Sequence, residues 1–245
     1  MFTSIILAAG MGTRMKSEIP KVLHKVCGKE LCRRVSDASK NAGADKVVAV
    51  VGHKAELVKD ALGGECEFVL QSEQKGTGHA VMQAADYINN AGGYVVILNG
   101  DTPLITAQTI KAAMEYHKEN GNSVTVLTAV FDDATGYGRI VRDSDGNVIK
   151  IVEQKDADEN EKLIKEINSG MYVFNSDDLA EALTKLTPNN AQGEYYLTDT
   201  VEILIGSGRK VGAYIIEDND EIRGVNDRVQ LHEAEKIMHD RIVEK

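Results

Sequence analysis

Ser4-Ile5-Ile6-Leu7-Ala8-Ala9-Gly10-Met11-Gly12-Thr13-Arg14-Met15 opens the chain with an apolar run that stops at a glycine-rich turn. The run lacks polar alternation, as a strand does when a parallel sheet is covered on both faces. Runs of the same kind return at residues 46–51, 67–70 and 94–98, with amphipathic stretches at 31–41, 55–62 and 78–89 between them. That succession predicts a βαβ series, and with it an α/β fold on a mostly parallel sheet flanked by helices.

Beyond residue 121 the rhythm changes. A strand is expected at 123–130, then a hairpin of 139–141 and 148–153 around Asp145-Gly146-Asn147. The charged stretch 154–165 reads as a solvated loop, strands resume at 170–174 and 211–216, and helices are expected at 177–186 and 196–205. No Pro/Gly/Ser-rich linker divides the chain, so one domain with a small mixed β lobe is the simplest account. Residues 226–245 space Leu231, Ala234, Met238 and Ile242 at three- and four-residue steps, an amphipathic helix.

Composition narrows the function. The 245 residues carry 28 Lys plus Arg against 38 Asp plus Glu, a net charge of −10, with 42% hydrophobic residues. This composition supports a folded core and argues against a surface that attracts nucleic acid or anionic lipid. An anionic ligand must therefore meet a local cluster of positive charge. The three cysteines form no C-x-x-C pair, and the six histidines show no H-x-x-x-H spacing, which sets aside disulfide frameworks and the common zinc sites. No apolar run approaches the roughly 18 residues of a membrane span, and no basic region precedes the first run as in a signal peptide. The expectation is a cytoplasmic protein with reduced thiols.

The turn after the first strand carries the strongest chemistry. Its small residues let backbone approach a ligand, and successive N–H groups can cradle phosphate. A dinucleotide fingerprint would need glycine where Met15 stands, and a Walker A motif would need Gly-Lys-Ser/Thr; neither is present. What remains is a glycine-rich turn with its own cation, Arg14, and Lys21 shortly after. Arg14 offers a planar fork of donors suited to a triphosphate, and Lys21 a point charge that can follow a moving phosphoryl group. Asp101, in Asn99-Gly100-Asp101-Thr102-Pro103, follows another apolar strand. It reads either as a Mg²⁺ ligand at the ligand-binding edge of an α/β sheet or as a capping acid in a Gly-Asp turn.

Together these residues resemble the signature of sugar-1-phosphate nucleotidyltransferases: Gly10-x-Gly12-Thr13-Arg14-Met15, Pro20-Lys21 and Gly100-Asp101. Further segments narrow the resemblance to the uridylyltransferase half of the bacterial bifunctional N-acetylglucosamine-1-phosphate uridylyltransferase and glucosamine-1-phosphate acetyltransferase family. They are Glu73-Gln74-x-Gly76-Thr77-Gly78-His79-Ala80, Thr135-Gly136-Tyr137-Gly138-Arg139-Ile140, Glu166-Ile167-Asn168-Ser169-Gly170 and Gln192-Gly193-Glu194-Tyr195-Tyr196-Leu197-Thr198-Asp199.

The resemblance implies a Rossmann-like, GT-A-like nucleotidyltransferase fold and a reaction of UTP with N-acetylglucosamine 1-phosphate, giving UDP-N-acetylglucosamine and pyrophosphate. It implies a place in peptidoglycan and lipopolysaccharide precursor synthesis. It puts Leu7, Ala8, Ala9 and Gly10 against the nucleotide, Arg14 and Lys21 on the phosphates, and Gln71, Gly76 and Thr77 on uracil. The Gln71 amide would offer the base one donor edge and one acceptor edge. Asp101 and Asn226 match Mg²⁺ ligands, while Gly138, Glu153 and Asn168 match sugar contacts. Asn226 or Asp227 also reads as the cap of the terminal helix. Tyr195-Tyr196 could shape the sugar pocket or simply pack, and the histidines, His79 included, form no constellation.

By the same resemblance, residues 1–226 form the uridylyltransferase domain and 227–245 a linker helix. The β-helix that carries acetyltransferase activity in the family is expected to be absent, which leaves the oligomeric state open. The chain reads as a fragment of a longer enzyme or as a naturally short protein. Met11 and Asn99 depart from family patterns, so no role is carried over to them. The rivals are a related nucleotidyltransferase using glucose 1-phosphate or dTTP, and a non-catalytic regulatory relative that only binds nucleotide.

Overall fold

The computed structural model describes residues 1–244. Successive residues of a strand point to opposite faces, yet Phe2, Thr3, Ser4, Ile5 and Ile6 are all buried, so the first strand is covered on both sides. This is β1 (Phe2–Ala8). The chain continues through a short hairpin, β2 (Lys25–Val26) and β3 (Lys29–Glu30), into α1 (Leu31–Asn41), β4 (Lys46–Val51), α2 (Ala55–Leu62), β5 (Glu67–Leu70), α3 (Thr77–Met82), α4 (Ala85–Asn89) and β6 (Tyr94–Asn99). Then come α5 (Ala107–Asn120), β7 (Val124–Val130), the hairpin β8 (Gly138–Arg142) and β9 (Val148–Val152), β10 (Glu166–Asn175), α6 (Ser176–Leu183), α7 (Asp199–Gly206), β11 (Val211–Ile215) and α8 (Arg228–Val243).

Among the described residues nine strands form one sheet, ordered β11-β7-β10-β6-β1-β4-β5 along its main path. Along that path the pairings β11–β7, β6–β1, β1–β4 and β4–β5 are parallel, and only β10 runs against its neighbours. The β8–β9 hairpin joins through β10 as a side lobe. From β1 the chain moves one way to β4 and β5, then returns to place β6 on the other side of β1. The crevice outside the carboxyl ends of β1 and β6 is thus the topological switch point, where open α/β sheets bind ligands. Leu7 of β1 lies level with both Val50 and Asn99, so three strands end together at that edge.

The alternation of β1 feeds two cores. Ile6 and Ala8 pack with Cys32, Val35, Val58 and Met114 under α1, α2 and α5. Ile5 packs with Val81, Ile88, Leu179 and Val201 under α3, α4, α6 and α7. A smaller cluster of Val26, Leu31, Leu104, Val225 and Ala234 seats α8 against the first hairpin.

Several elements differ from expectation. The single helix expected at 78–89 is two, because the chain turns at Ala84 (φ −95, ψ 17). The helix α5 stands outside the predicted stretches. The strand expected at 170–174 begins at Glu166 and carries an irregularity between Asn168 and Tyr172, where Gly170 adopts φ 75. The residues Tyr196–Thr198 form a turn, and α7 starts at Asp199. In α8 the expected stripe holds at Leu231, Ala234 and Met238, but Ile242 is 54% exposed. Lys245, the last residue of the expected helix, lies outside the described residues. Among the described residues no helix is long and apolar enough to cross a membrane.

Candidate active site

The turn after β1 is built around two glycines with different duties. At Gly10 no atom lies within 4 Å of where a Cβ would stand, which leaves the backbone open to the crevice. Gly12 adopts φ 62, and a Cβ there would overlap the Lys21 side chain. The absence of that methyl lets the Lys21 segment fold over the turn. Gly12→Ala is therefore expected to cost about 1–3 kcal/mol in backbone strain and to displace Lys21. A displacement near 1 Å would lower turnover by about 10²-fold. Steady-state kinetics beside thermal unfolding checks this, and unchanged turnover would refute the link between the glycine and Lys21.

Lys21, Asp101 and Asn226 meet, although 80 and 205 residues separate the lysine from its partners. The Lys21 ammonium donates to the Asp101 carboxylate and, at 2.9 Å, to Asn226 Oδ1. The lysine and aspartate side chains are only 15% and 20% exposed. Backbone fixes the meeting, since the Val225 N–H donates to the Asp101 carbonyl at 2.8 Å. The two alternatives for the terminal helix also separate here. Asp227 caps it, its carboxylate accepting from the N–H groups of Val229 and Gln230, each at 2.9 Å, and Asn226 is left for the crevice. Asp101 and Asn226 offer hard oxygen donors suited to a divalent cation. Among the described residues no group of three or more His, Cys, Asp or Glu converges as a metal site. A cation here would draw the rest of its shell from phosphate oxygens and water, the habit of Mg²⁺.

Two cavities open along this edge. The first, about 250 Å³, is lined by Leu7, Ala8, Ala9 and Gly10 together with Lys21, Gln71, Gly76 and Thr77. The second, about 480 Å³, is lined by Arg14, Gly138, Glu153, Asn168 and Asn226. Thr77, Asn99 and Asp101 line both, so the cavities are one groove with the aspartate at its waist. The residues that the resemblance places on nucleotide, phosphates, metal and sugar all line this groove.

In the first cavity, segments distant in sequence are laced together. The Gly78 N–H donates to the Tyr195 carbonyl at 2.8 Å, the Tyr195 N–H to the Lys75 carbonyl at 2.8 Å, and the Leu197 N–H to Thr77 Oγ1 at 3.1 Å. Gly76, at φ 104, runs so close that a Cβ would stand 2.5 Å from the Tyr195 carbonyl. Gln71 is buried, and its amide NH₂ donates to the Gly76 carbonyl at 3.1 Å, with His79 Nδ1 also 3.1 Å away. The expectation that Gln71 offers both edges of its amide is corrected: the donor edge is engaged inside the protein. Tyr195 and Tyr196 line neither cavity; Tyr195 packs beside His79, and Tyr196 OH accepts from Gln192.

The second cavity sets Glu153 beside Arg14 and Asp101. Burial holds the Glu153 carboxyl above its ordinary range, opposed by a 3.3 Å hydrogen bond from the Thr198 hydroxyl and reinforced by Asp156 and Asp199. Asp199 itself is pushed up to about 6 by burial, with Glu202 and Asp156 adding to the shift. Asn168 is held at both ends of its amide, accepting from the Gly170 N–H at 2.9 Å and donating to Tyr172 OH at 2.8 Å. Glu153 and Asn168 suit hydroxyl and amide donors, whereas Arg14 in the same cavity and Lys21 in the first attract phosphate. Each cavity thus carries one cation, Lys21 in the first and Arg14 in the second, and the Lys21–Asp101 ion pair marks the waist between them.

Three residues that sequence reasoning left aside also shape the groove. Asn99 donates to the Ser169 carbonyl at 3.0 Å and so ties β6 to the irregularity in β10. His79 contacts Gln71. Arg139, 2% exposed, donates to Gln154 Oε1 at 2.9 Å, and the same oxygen takes the Gly136 N–H at 3.1 Å. The guanidinium thereby steadies the 135–138 loop. Its signals in the sequence are a charge next to the apolar pair Ile140-Val141 and its place in the segment Thr135 to Ile140.

Comparisons with known proteins agree with this picture. A family profile described as "Nucleotidyl transferase" matches residues 3–222. A protein named "Bifunctional protein GlmU" from Acetivibrio thermocellus is 57% identical over 242 residues, covering 99% of this chain and 52% of that protein. Its namesake from Caldanaerobacter subterraneus subsp. tengcongensis is 56% identical, with the same coverage. The Clostridioides difficile protein of that name is 54% identical, over 99% of this chain and 53% of its own length. The chain spans about half the length of the curated relatives it matches.

Proposed function

The chain belongs to the nucleotidyl transferase family, and from that premise we propose that it transfers UMP from UTP to N-acetylglucosamine 1-phosphate. A phosphate oxygen of the sugar phosphate attacks the α-phosphorus of UTP in line. The bond from that phosphorus to the bridging oxygen breaks, and UDP-N-acetylglucosamine and pyrophosphate result. The observation that carries this reading is the waist of the groove, where Lys21, Asp101 and Asn226 converge between the two cavities.

Leu7, Ala8, Ala9 and Gly10 pack against the nucleotide, with Gln71, Gly76 and Thr77 on the base. Gly138, Glu153 and Asn168 bind the sugar hydroxyls and the acetamido group. Arg14 and Lys21 neutralise the charge that gathers on the triphosphate as the oxygen attacks. Asp101 and Asn226 would hold Mg²⁺, whose part is to screen phosphate charge and orient the oxygens. No side chain has to act as nucleophile or base, because the attacking group is already an anion. Residues 1–226 form the transferase domain and 227–245 its linker segment, in which α8 spans Arg228–Val243. The activity belongs to cytoplasmic synthesis of peptidoglycan and lipopolysaccharide precursors.

The test is pyrophosphate release, with UTP or dTTP paired with N-acetylglucosamine 1-phosphate, glucosamine 1-phosphate or glucose 1-phosphate. Release is expected with UTP and the acetylated sugar, and only with Mg²⁺ present. Preference for glucose 1-phosphate would sink the substrate assignment, and silence with every pair would leave a nucleotide-binding protein without turnover.

A further inference from the structure

We infer that His79 is a positioning residue that sets which base the first cavity accepts, by holding the Gln71 amide in one orientation; this rests on the uridylyl reading above. The two ends of a glutamine amide are told apart by their partners. A carbonyl oxygen only accepts, so the atom 3.1 Å from the Gly76 carbonyl is the Gln71 nitrogen. The same nitrogen is 3.1 Å from His79 Nδ1, and its second hydrogen needs a lone pair there. Nδ1 therefore accepts, and in the neutral ring Nε2 carries the proton.

The far side of the ring does not contradict this. The Gln83 nitrogen lies 3.3 Å from His79 Nε2 and 3.0 Å from the His79 carbonyl. Gln71 is 3% exposed, whereas Gln83 is only half-buried. The nitrogen of buried Gln71 has the Gly76 carbonyl and Nδ1 as its partners, whereas half-buried Gln83 can exchange its ring contact for water, so Gln71 sets the ring. Gln83, anchored through its nitrogen on the His79 carbonyl, swings away from the ring rather than turning over, and leaves the Nε2 proton to solvent.

With both hydrogens of the Gln71 amide engaged, Oε1 is the end left for a ligand, and among the described residues no donor takes it. An oxygen there accepts the N3–H of uracil. Cytosine presents a lone pair at N3, so two acceptors would face each other. Thymine carries the same N3–H as uracil, so this device separates UTP from CTP and is blind to dTTP. Gly76 sets the direction of the amide, and His79 removes its remaining freedom. Without the imidazole the amide keeps one anchor and an idle hydrogen, and it can swing its nitrogen toward the base.

The test is kcat/KM for UTP, dTTP and CTP in the wild type and in two variants. In His79→Leu the UTP-to-CTP ratio is expected to fall about tenfold, the worth of one hydrogen bond in a buried site, while the UTP-to-dTTP ratio stays put. In His79→Asn, whose side-chain oxygen takes the place of Nδ1, the UTP-to-CTP ratio should be retained. Equal losses for all three nucleotides in His79→Leu, or no change in any, would overturn the inference. Should His79→Leu fail to fold, His79→Asn and His79→Gln decide, since glutamine carries its acceptor to the place of Nε2. Equal ratios in those two would overturn the inference as well. A wild type inactive with UTP would overturn the uridylyl reading and this inference with it. A wild type that prefers UTP, with ratios unmoved in the variants, would overturn this inference alone.

Discussion

In Asp101→Ala, turnover of UTP with N-acetylglucosamine 1-phosphate is expected to fall by at least about 10³-fold, because one truncation removes two things at once. The carboxylate is the anionic member of the proposed Mg²⁺ site, and it also anchors the Lys21 ammonium at the waist of the groove. Losing it leaves Asn226 as the one oxygen partner holding that ammonium, at 2.9 Å. The fold should survive, because the backbone bond from the Val225 N–H to the Asp101 carbonyl does not involve the side chain. Asp101→Asn separates charge from shape. It keeps an oxygen near Lys21 and removes the negative charge, so it should retain protein stability while losing most of the turnover. The checks are pyrophosphate release across a Mg²⁺ titration and thermal unfolding. An Asp101→Ala enzyme with full activity and an unchanged Mg²⁺ requirement would exclude this residue as the ligand.

The dependence of the site on long-range meetings explains how much of it the sequence could disclose. The run through Ala9 and the turn at Gly10 to Arg14 are local: an unbroken apolar strand and small residues at its end mark a ligand edge without further information. Asp101 was visible for the same reason. That Lys21, Asp101 and Asn226 touch was not, since nothing in the spacing brings together residues 80 and 205 positions apart. His79 was invisible because its partner, Gln71, sits across a loop whose shape depends on Gly76 at φ 104.

The missed elements follow a similar rule. In α5 the buried stripe is Ile110, Ala113, Met114 and His117, so a histidine and an alanine occupy half of the inward face and blur its period. That histidine is buried against Thr125 and Asn175, and burial lowers its pKa, so it serves the core as a neutral side chain. The break between α3 and α4 leaves the pattern Ala80, Val81, Ala84 and Ile88 intact, with no glycine or proline to announce it. Local propensity had no means of reporting either feature.

The ammonium at the waist sets up a competition that a second substitution would expose. Lys21 bonds the same two oxygens, on Asp101 and Asn226, that are proposed for Mg²⁺. Lysine is suited to yield, being a compact charge on a flexible stem that can follow phosphate once a metal arrives. Lys21→Met should therefore move two measurements in opposite directions. Turnover is expected to fall by about 10²–10³-fold, because a preorganised cation at the reacting phosphates is lost. Mg²⁺ binding to the nucleotide-free protein, followed by calorimetry, is expected to tighten by about threefold to tenfold, because Asp101 no longer has a fixed cation beside it. Lys21→Arg should recover little turnover, since a planar fork cannot replace a point charge beside Gly12, where there is no room even for a Cβ. A general loss of structure would weaken both measurements together, and a purely structural ion pair would leave turnover intact. Tighter metal binding with slower turnover is the outcome that only a shared cation site produces.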